Sequence, residues 1–402
     1  MDDSLSAVFR IGDELLCVKG HQSTSLQPCT ITELDSYENS IALLGQHDFP
    51  RELPEKFNFN LGPVAGGLLE SVKMNVYTDG ERIVEIRPDP SFKNRNIHMR
   101  KSGIDEALLK MERVNGVYAA SFGTAFCLAV EEIQQSPADY DTQLTRILIS
   151  ELERITNHIH VIAKLSEGAS QNVATQHLFS LEERVRRIIS EYFGHRFFYG
   201  LNSIGGLERE VNTNGLGGRI SSVVDEFNSI WDALASSRLF LDRLQTTCFA
   251  KKEWTVGPVV RAADFKYDAR LSGYLPYADI GFEVASDDTG DVLSRALVRQ
   301  HEVEISSRMI EEICRKVRKV GKKRDLSSDK NGWSVKRVET PGGDMILFLG
   351  ISGGFVTDFG IRSASMANIL AFAKGATSGI LTDFTFAWES FGFWISEMGD
   401  YI

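Results

Sequence analysis

The stretch from Ile104 to Glu167 constrains the fold more than any other part of the chain. Its second half, Ala138 to Glu167, sets Leu144, Ile147, Leu148, Leu152, Ile155, Ile159 and Ile162 at three- and four-residue steps. That spacing is the stripe of a helix with one buried face. The first half, Ile104 to Ile133, is apolar on more than one side and rich in small residues, among them Gly116, Ala119, Ala120, Ser121, Gly123 and Ala125. Such a helix suits the middle of a bundle, where backbones come close. Ser136-Pro137 separates the halves, so two long packed helices are expected.

A chain of 402 residues can bury a large core. The formal charge of −11 argues against a nucleic-acid binder, which needs a basic face. The run Arg315 to Arg324 is a local exception and reads as a solvated helix end with its loop. The five cysteines show no C-x-x-C spacing, so neither a metal site nor a redox pair is legible and a reducing compartment fits. The N-terminus lacks the basic and apolar regions of a signal peptide. No apolar run spans a bilayer: the longest, Ile369 to Ile395, is interrupted by Lys374, Asp383 and Glu389. Any membrane association is expected to be peripheral.

Residues 1–60 read as a separate extension, a small β module or a docking arm, with β-type runs at Ala7–Gly20 and Ser40–Gly45. Residues 61–402 read as the main domain. Ser71 to Arg87 predicts a hairpin turning at Asp79-Gly80, and Ser334 to Ile351 a second turning at Pro341 to Asp344. Further helices are expected over 175–193, 219–247 and 290–320, the last capped by Asp288 or Thr289, and over 365–373 and 382–395. The fold class is α+β, mainly α: a central bundle of long helices with flanking β-hairpins and small β-rich pieces. The Gly- and Asn-rich loop after Gly205 contains no dinucleotide fingerprint.

Several runs carry a family likeness: Glu112-Arg113-Val114-Asn115-Gly116-Val117-Tyr118, Ser150 to Ile155, Gly62 to Glu70, Phe92 to His98, Pro341-Gly342-Gly343 and the C-terminus. Together they resemble the large subunit of membrane-bound nickel–iron hydrogenases. They are similar also to the 49-kDa quinone-site subunit of respiratory complex I, of the same superfamily. The resemblance implies two cysteine pairs at the metal, and the matched positions here are Asn115, Tyr118, Ile395 and Met398. The family's metal-facing arginine falls on Gly342, its quinone-facing histidine on Ala65, its quinone tyrosine on Gly116, and its proton-relaying glutamate on His98.

The likeness implies a large-subunit-like component of a membrane-associated redox complex of the NADH-quinone oxidoreductase or membrane-bound hydrogenase type. A nickel–iron centre needs four soft thiolates, and none stands at the matched positions, so this chain is expected to bind no metal and no cofactor of its own. Tyr118 and His98 are candidate donors to a quinone; the competing readings are Tyr118 as a space-filler and His98 as a surface residue. The resemblance implies an iron–sulfur small subunit, itself holding the cluster, and other subunits as partners, on the cytoplasmic side of the membrane. Arg261, Arg270, Tyr277 and Arg95 are the candidate partner-binding residues. The alternative is a catalytically silent scaffold or regulator that keeps only the partner surface. His158 and His160 lie two apart on a helix and cannot chelate one ion together; Glu151 and Glu153 diverge likewise.

Overall fold

The computed structural model describes residues 5–11, 14–20, 23–28, 56–66, 68–93, 95–251, 255–317, 319–320, 330–377 and 379–399. The expected β run at Ser40–Gly45 and most of the basic run after Lys316 lie outside these residues.

Helices dominate, as expected, with small antiparallel sheets around them. The stretch from Ile104 forms three helices rather than two: α1 (Ile104–Val114), α2 (Ala119–Gln134) and α3 (Tyr140–Gly168). The unforeseen break falls at Asn115, whose backbone is extended and whose side-chain oxygen accepts from the amide of Val117. Asparagine favours such local turns over helix, and Gly116 follows it. Asp139 caps α3 by accepting from the amide of Thr142.

α3 departs from the one-faced stripe. Leu144, Ile147, Leu148, Leu152, Ile155, Ile159 and Ile162 are all buried, but so are Arg146, Glu151, Glu153, Arg154 and His158. Charged side chains inside a core require partners, and the partners form the two polar regions described below.

α4 (Asn172–Phe193) and α5 (Leu216–Ala235) follow. The helix expected to run to residue 247 stops at Ala235, because Ser237 turns its hydroxyl to the amide of Phe240 and caps a separate α6 (Arg238–Leu244). α7 (Val292–Lys316) is capped by Asp291, not by Asp288 or Thr289. It ends before residues 319–320, which pair instead with 211–212.

Near the N-terminus β1 (Leu5–Ile11), β2 (Glu14–Lys19) and β3 (Leu26–Pro28) form one antiparallel sheet. β4 (Phe57–Leu61), β5 (Lys73–Asp79) and β6 (Arg82–Asp89) form another, so pairing with the expected hairpin begins at Phe57, before residue 61. Gly80 supplies the positive φ of +61° that the β5–β6 turn requires. Later come β7 (Gly332–Thr340), β8 (Gly343–Ser352) and an unforeseen third strand, β9 (Phe355–Arg362), then α8 (Ala364–Gly375) and α9 (Phe384–Phe391).

Three cores result. The largest gathers α3, α4, α5, α7 and α9. β8 separates the other two by simple alternation. Its Met345, Leu347 and Leu349 face α1 and α2, while Ile346 and Phe348 face Ala7, Phe9 and Val18 of the N-terminal sheet. A strand covered on both sides needs the continuous apolar run this sequence provides.

Candidate functional site

Segments far apart in sequence meet at the N-terminus of α2. Asn115 Nδ2 donates to Glu397 Oε1 at 2.6 Å. The Tyr118 ring stands edge-on to Trp394 with centroids 6.2 Å apart. The Tyr118 hydroxyl donates to Asn157 Oδ1 at 2.9 Å, and Trp394 Nε1 donates to the same oxygen at 3.4 Å. From the loop before β5, Glu70 accepts the amide of Ser396 at 2.8 Å. The β7–β8 turn closes the site: a side chain begun at Gly342 would meet the Tyr118 ring and hydroxyl at 3.6 Å. Four of the segments singled out in the sequence thus converge. Asn115 and Tyr118 lie against the 394–397 segment although nearly 300 residues separate them.

The site is buried and its polar atoms are largely engaged. Asn115, Tyr118 and Ile395 are at most 2% exposed, and Met398 is also buried. Burial pushes the Glu397 carboxyl up to about 7, a rise that the hydrogen bond from Asn115 moderates. Glu153 lies one turn before Asn157 and receives the amides of Ala120 and Ser121, which have no partner within the first turn of α2, and the Ser121 hydroxyl. Burial nevertheless raises its carboxyl to about 8.

These residues do not fit a nickel–iron centre. None of the four matched positions offers a thiolate; Asn115 and Tyr118 are committed to Glu397 and Asn157, and Ile395 is apolar. Among the described residues no group of three or more histidine, cysteine, aspartate or glutamate side chains could hold a metal ion.

The other candidates fare differently. His98 is exposed and Arg95 is exposed. Arg261, Arg270 and Tyr277 form no part of a partner surface; all three are fully buried in an ion cluster. Arg261 donates to Glu302 at 2.6 Å and Glu339 at 2.8 Å. Arg270 grips Asp268 at 2.7 and 2.9 Å and reaches Glu151 at 3.2 Å. The Tyr277 hydroxyl donates to Glu151 at 3.0 Å, and Arg154 donates to Glu151 at 3.0 Å. The expectation failed because an Arg-, Asp- and Tyr-rich sequence is the same whether its charges face a partner or one another. His158 joins the cluster at Glu302, 2.6 Å away, whereas His160 meets Glu182 at 2.9 Å; the two histidines diverge as their spacing requires.

Against the cost of burial, Arg261, His158 and Arg270 hold Glu302 well below the ordinary carboxylate range. Burial drops His158 to about 4, so at neutral pH it is an uncharged donor to Glu302. The sequence offered one clue to this cluster: Glu151, Arg154 and His158 recur at helical spacing, as a single face would.

The family model described as the respiratory-chain NADH dehydrogenase 49 Kd subunit matches residues 171–333. The C/D subunit of the NADH-quinone oxidoreductase of Bdellovibrio bacteriovorus is 23% identical over 74% of this chain. This chain spans about half, 55%, of that relative's length. The alpha subunit of the membrane-bound hydrogenase of Pyrococcus furiosus is 24% identical over 81% of this chain and 83% of its own. A chain of the membrane-bound sulfane sulfur reductase, an archaeal respiratory membrane complex, superposes with a TM-score of 0.79 at 21% identity, covering 88% of this chain and all of that one.

The chain shares the fold of that sulfane sulfur reductase chain, and its residues 171–333 match the 49 Kd subunit model. The family match covers α4 through the start of β7 and leaves out the motifs that meet at Tyr118. In the structure Asn115 and Tyr118 adjoin the 394–397 segment, with Gly342 beside Tyr118. No helix among the described residues is long and apolar enough to cross a membrane.

Proposed function

We propose that this chain is the large-subunit-like component of a membrane-associated redox complex, of the NADH-quinone oxidoreductase or membrane-bound hydrogenase type, and that it carries no nickel–iron centre. One observation carries the reading: of the four matched ligand positions, Asn115 and Tyr118 are already spent on Glu397 and Asn157, and Ile395 and Met398 are buried apolar side chains. The relatives named above are subunits of such complexes, which supports an assembly on the membrane surface. The electron-carrying partner would be an iron–sulfur small subunit, on the cytoplasmic side, and the chain would serve it as a scaffold.

A quinone site within the same complex has one observation in its favour. The Tyr199 hydroxyl occupies the space where a side chain at Gly116 would begin, with Arg113 stacked over its ring at 3.6 Å. Tyr199 thus returns a phenol to the position that lacks one.

Purification of the native assembly tests both. Expected are co-purification with an iron–sulfur subunit and nickel far below one atom per chain by elemental analysis. Near-stoichiometric nickel in the isolated chain overturns the first reading. Quinone reduction that survives Tyr199→Phe at full rate overturns the second.

A further inference from the structure

A cavity of about 20 Å³ lies between α3, α4 and the 196–198 segment. That volume takes one water and nothing larger. Glu153, Asn157, His160 and Arg186 line it. Asn157 Nδ2, His160 Nε2 and Arg186 Nε are buried atoms with no hydrogen-bond partner among the described residues. Buried polar atoms in native proteins are rarely left unmatched.

The role of each group is fixed by its other end. An indole nitrogen can only donate, so Trp394 Nε1 identifies the Asn157 atom 3.4 Å away as the oxygen and leaves Nδ2 as a donor. Glu182 accepts from His160 Nδ1 at 2.9 Å and from a terminal nitrogen of Arg186. A neutral histidine that donates through Nδ1 presents Nε2 as an acceptor. The His160 ring is packed against Trp394 and Phe179, with centroids 6.0 and 5.9 Å away, which holds that orientation. The lining therefore offers two donors and one acceptor nitrogen, a set that a single water answers because it both accepts and donates. The cavity also runs from interior to rim: Glu153 is 4% exposed, whereas the His160 side chain is 15% exposed.

We propose that this cavity holds one water, and that Glu153, the water, His160 and Glu182 form a proton conduit between the interior and the surface. In the outward step Glu153 gives its proton to the water, and the water gives one to His160 Nε2. The Nδ1 proton passes to Glu182 and from there to solvent. Glu153 is left as a carboxylate, and His160 carries its proton on Nε2. The inward step reverses every transfer and restores the Nδ1 proton, so only N–H and O–H bonds form and break. Burial raises the Glu153 carboxyl to about 8, against the pull of Ser121, Ala120 and Arg154, so a proton is present at neutral pH. Arg186 and Arg196 are the cations across the cavity. Against the cost of burial, the hydrogen bond from His160 holds Glu182 below the ordinary carboxylate range, so a proton that reaches it is released. The conduit uses side chains of this chain alone and stands whether or not the chain serves a redox complex.

Infrared spectroscopy of the full chain, mixed rapidly from ordinary into heavy water, tests it. The protonated-carboxyl band that Glu153→Gln removes identifies Glu153. Expected is deuteration of that carboxyl within the mixing time in the wild type, slowed by about a hundredfold or more in His160→Gln. Glutamine keeps a donor for Glu182 and an acceptor for the water but cannot hand a proton through its amide, so a merely structural role for His160 would leave the rate unchanged. A crystal structure of the wild-type chain should show a water within hydrogen-bond distance of Asn157 Nδ2 and His160 Nε2, and it decides the matter where His160→Gln fails to fold. The proposal is overturned if the cavity is dry in that structure, or if Glu153→Gln removes no protonated-carboxyl band. It is overturned equally if the wild type exchanges no faster than His160→Gln.

Discussion

One helix, α3, presents two polar stripes, and they are built on opposite principles. Glu151, Arg154 and His158 enter a cluster of formal charges, with Arg261, Arg270, Asp268, Glu302 and Glu339 as partners. Glu153, Asn157 and His160 enter a region held mainly by hydrogen bonds, with Tyr118, Ser121, Trp394 and Glu182 as partners. In the first, nearly every charge meets two or more opposite charges. The second leaves Asn157 Nδ2 and His160 Nε2 unmatched. A saturated ionic cluster fixes the packing of α3, α7 and β7 and tolerates little change. A region with unmatched polar atoms costs less to alter than the cluster does.

The largest effect should follow charge reversal in the ion cluster. Arg261→Glu would place another carboxylate against Glu302, Glu339 and Asp268 with no water to screen it. Removing one partner of a buried pair already costs about 3–5 kcal/mol, and reversal costs more, so neither Arg261→Glu nor Arg270→Glu should yield a folded chain. Chemical denaturation decides: a midpoint close to the wild type's would mean that the cluster contributes far less than its geometry indicates.

Tyr118→Phe is expected to be an order milder. It removes one hydrogen bond to Asn157, worth about 1 kcal/mol, and Trp394 continues to satisfy the oxygen. A loss above about 3 kcal/mol in the same denaturation series would place Tyr118 with the ionic region rather than the hydrogen-bonded one.

Acidity separates the stripes again. Glu153 has its folded carboxyl raised to about 8, so the folded state favours the protonated form. Its contribution is intact below the unfolded carboxylate range and is lost as pH rises from about 4.5 to about 8. Glu302, held low, behaves oppositely: its contribution is present above the unfolded value and is lost only in strong acid. Glu153→Gln should therefore gain stability relative to wild type as pH rises from 5 to 8, by roughly 1–3 kcal/mol after allowance for relaxation around the charge. Thermal melts of both proteins across that range check the sign; a difference independent of pH would show that Glu153 ionises freely in the folded chain.

Apolar periodicity revealed the helices, because burial of one residue in three or four leaves its mark on the sequence whatever lies opposite. It missed the α1–α2 break, since Asn115 and Val117 settle that locally with one side-chain hydrogen bond. It missed β9, whose half-exposed, Gly- and Asp-containing run has little pattern to read. The convergence of Asn115 and Tyr118 with the 394–397 segment was legible only through the family likeness, because no spacing links residues so distant. Burial of the Arg261 to Tyr277 charges was not legible at all: the partners, Glu151, Glu302 and Glu339, come from three other elements, and only the fold shows that they answer one another.

The smallest stability effect belongs to Arg95, the one partner candidate that stays at the surface. It lies 4.0 Å from Glu70, which also pairs with Lys93 at 3.9 Å, and long pairs of this kind contribute little. Arg95→Glu should change stability by no more than about 0.5 kcal/mol. Any consequence must then appear in association. Glu70 holds the amide of Ser396, so the loop carrying Arg95 borders the replaced ligand positions. If that border is where the proposed iron–sulfur subunit docks, reversal of one rim charge slows association and makes it more salt-dependent while the fold stays intact. The contrast with Arg261 is then complete: the same substitution unfolds the chain in the interior and only loosens a partner at the edge. An Arg95→Glu chain that is fully stable and retains every native subunit at high salt would move the docking surface elsewhere.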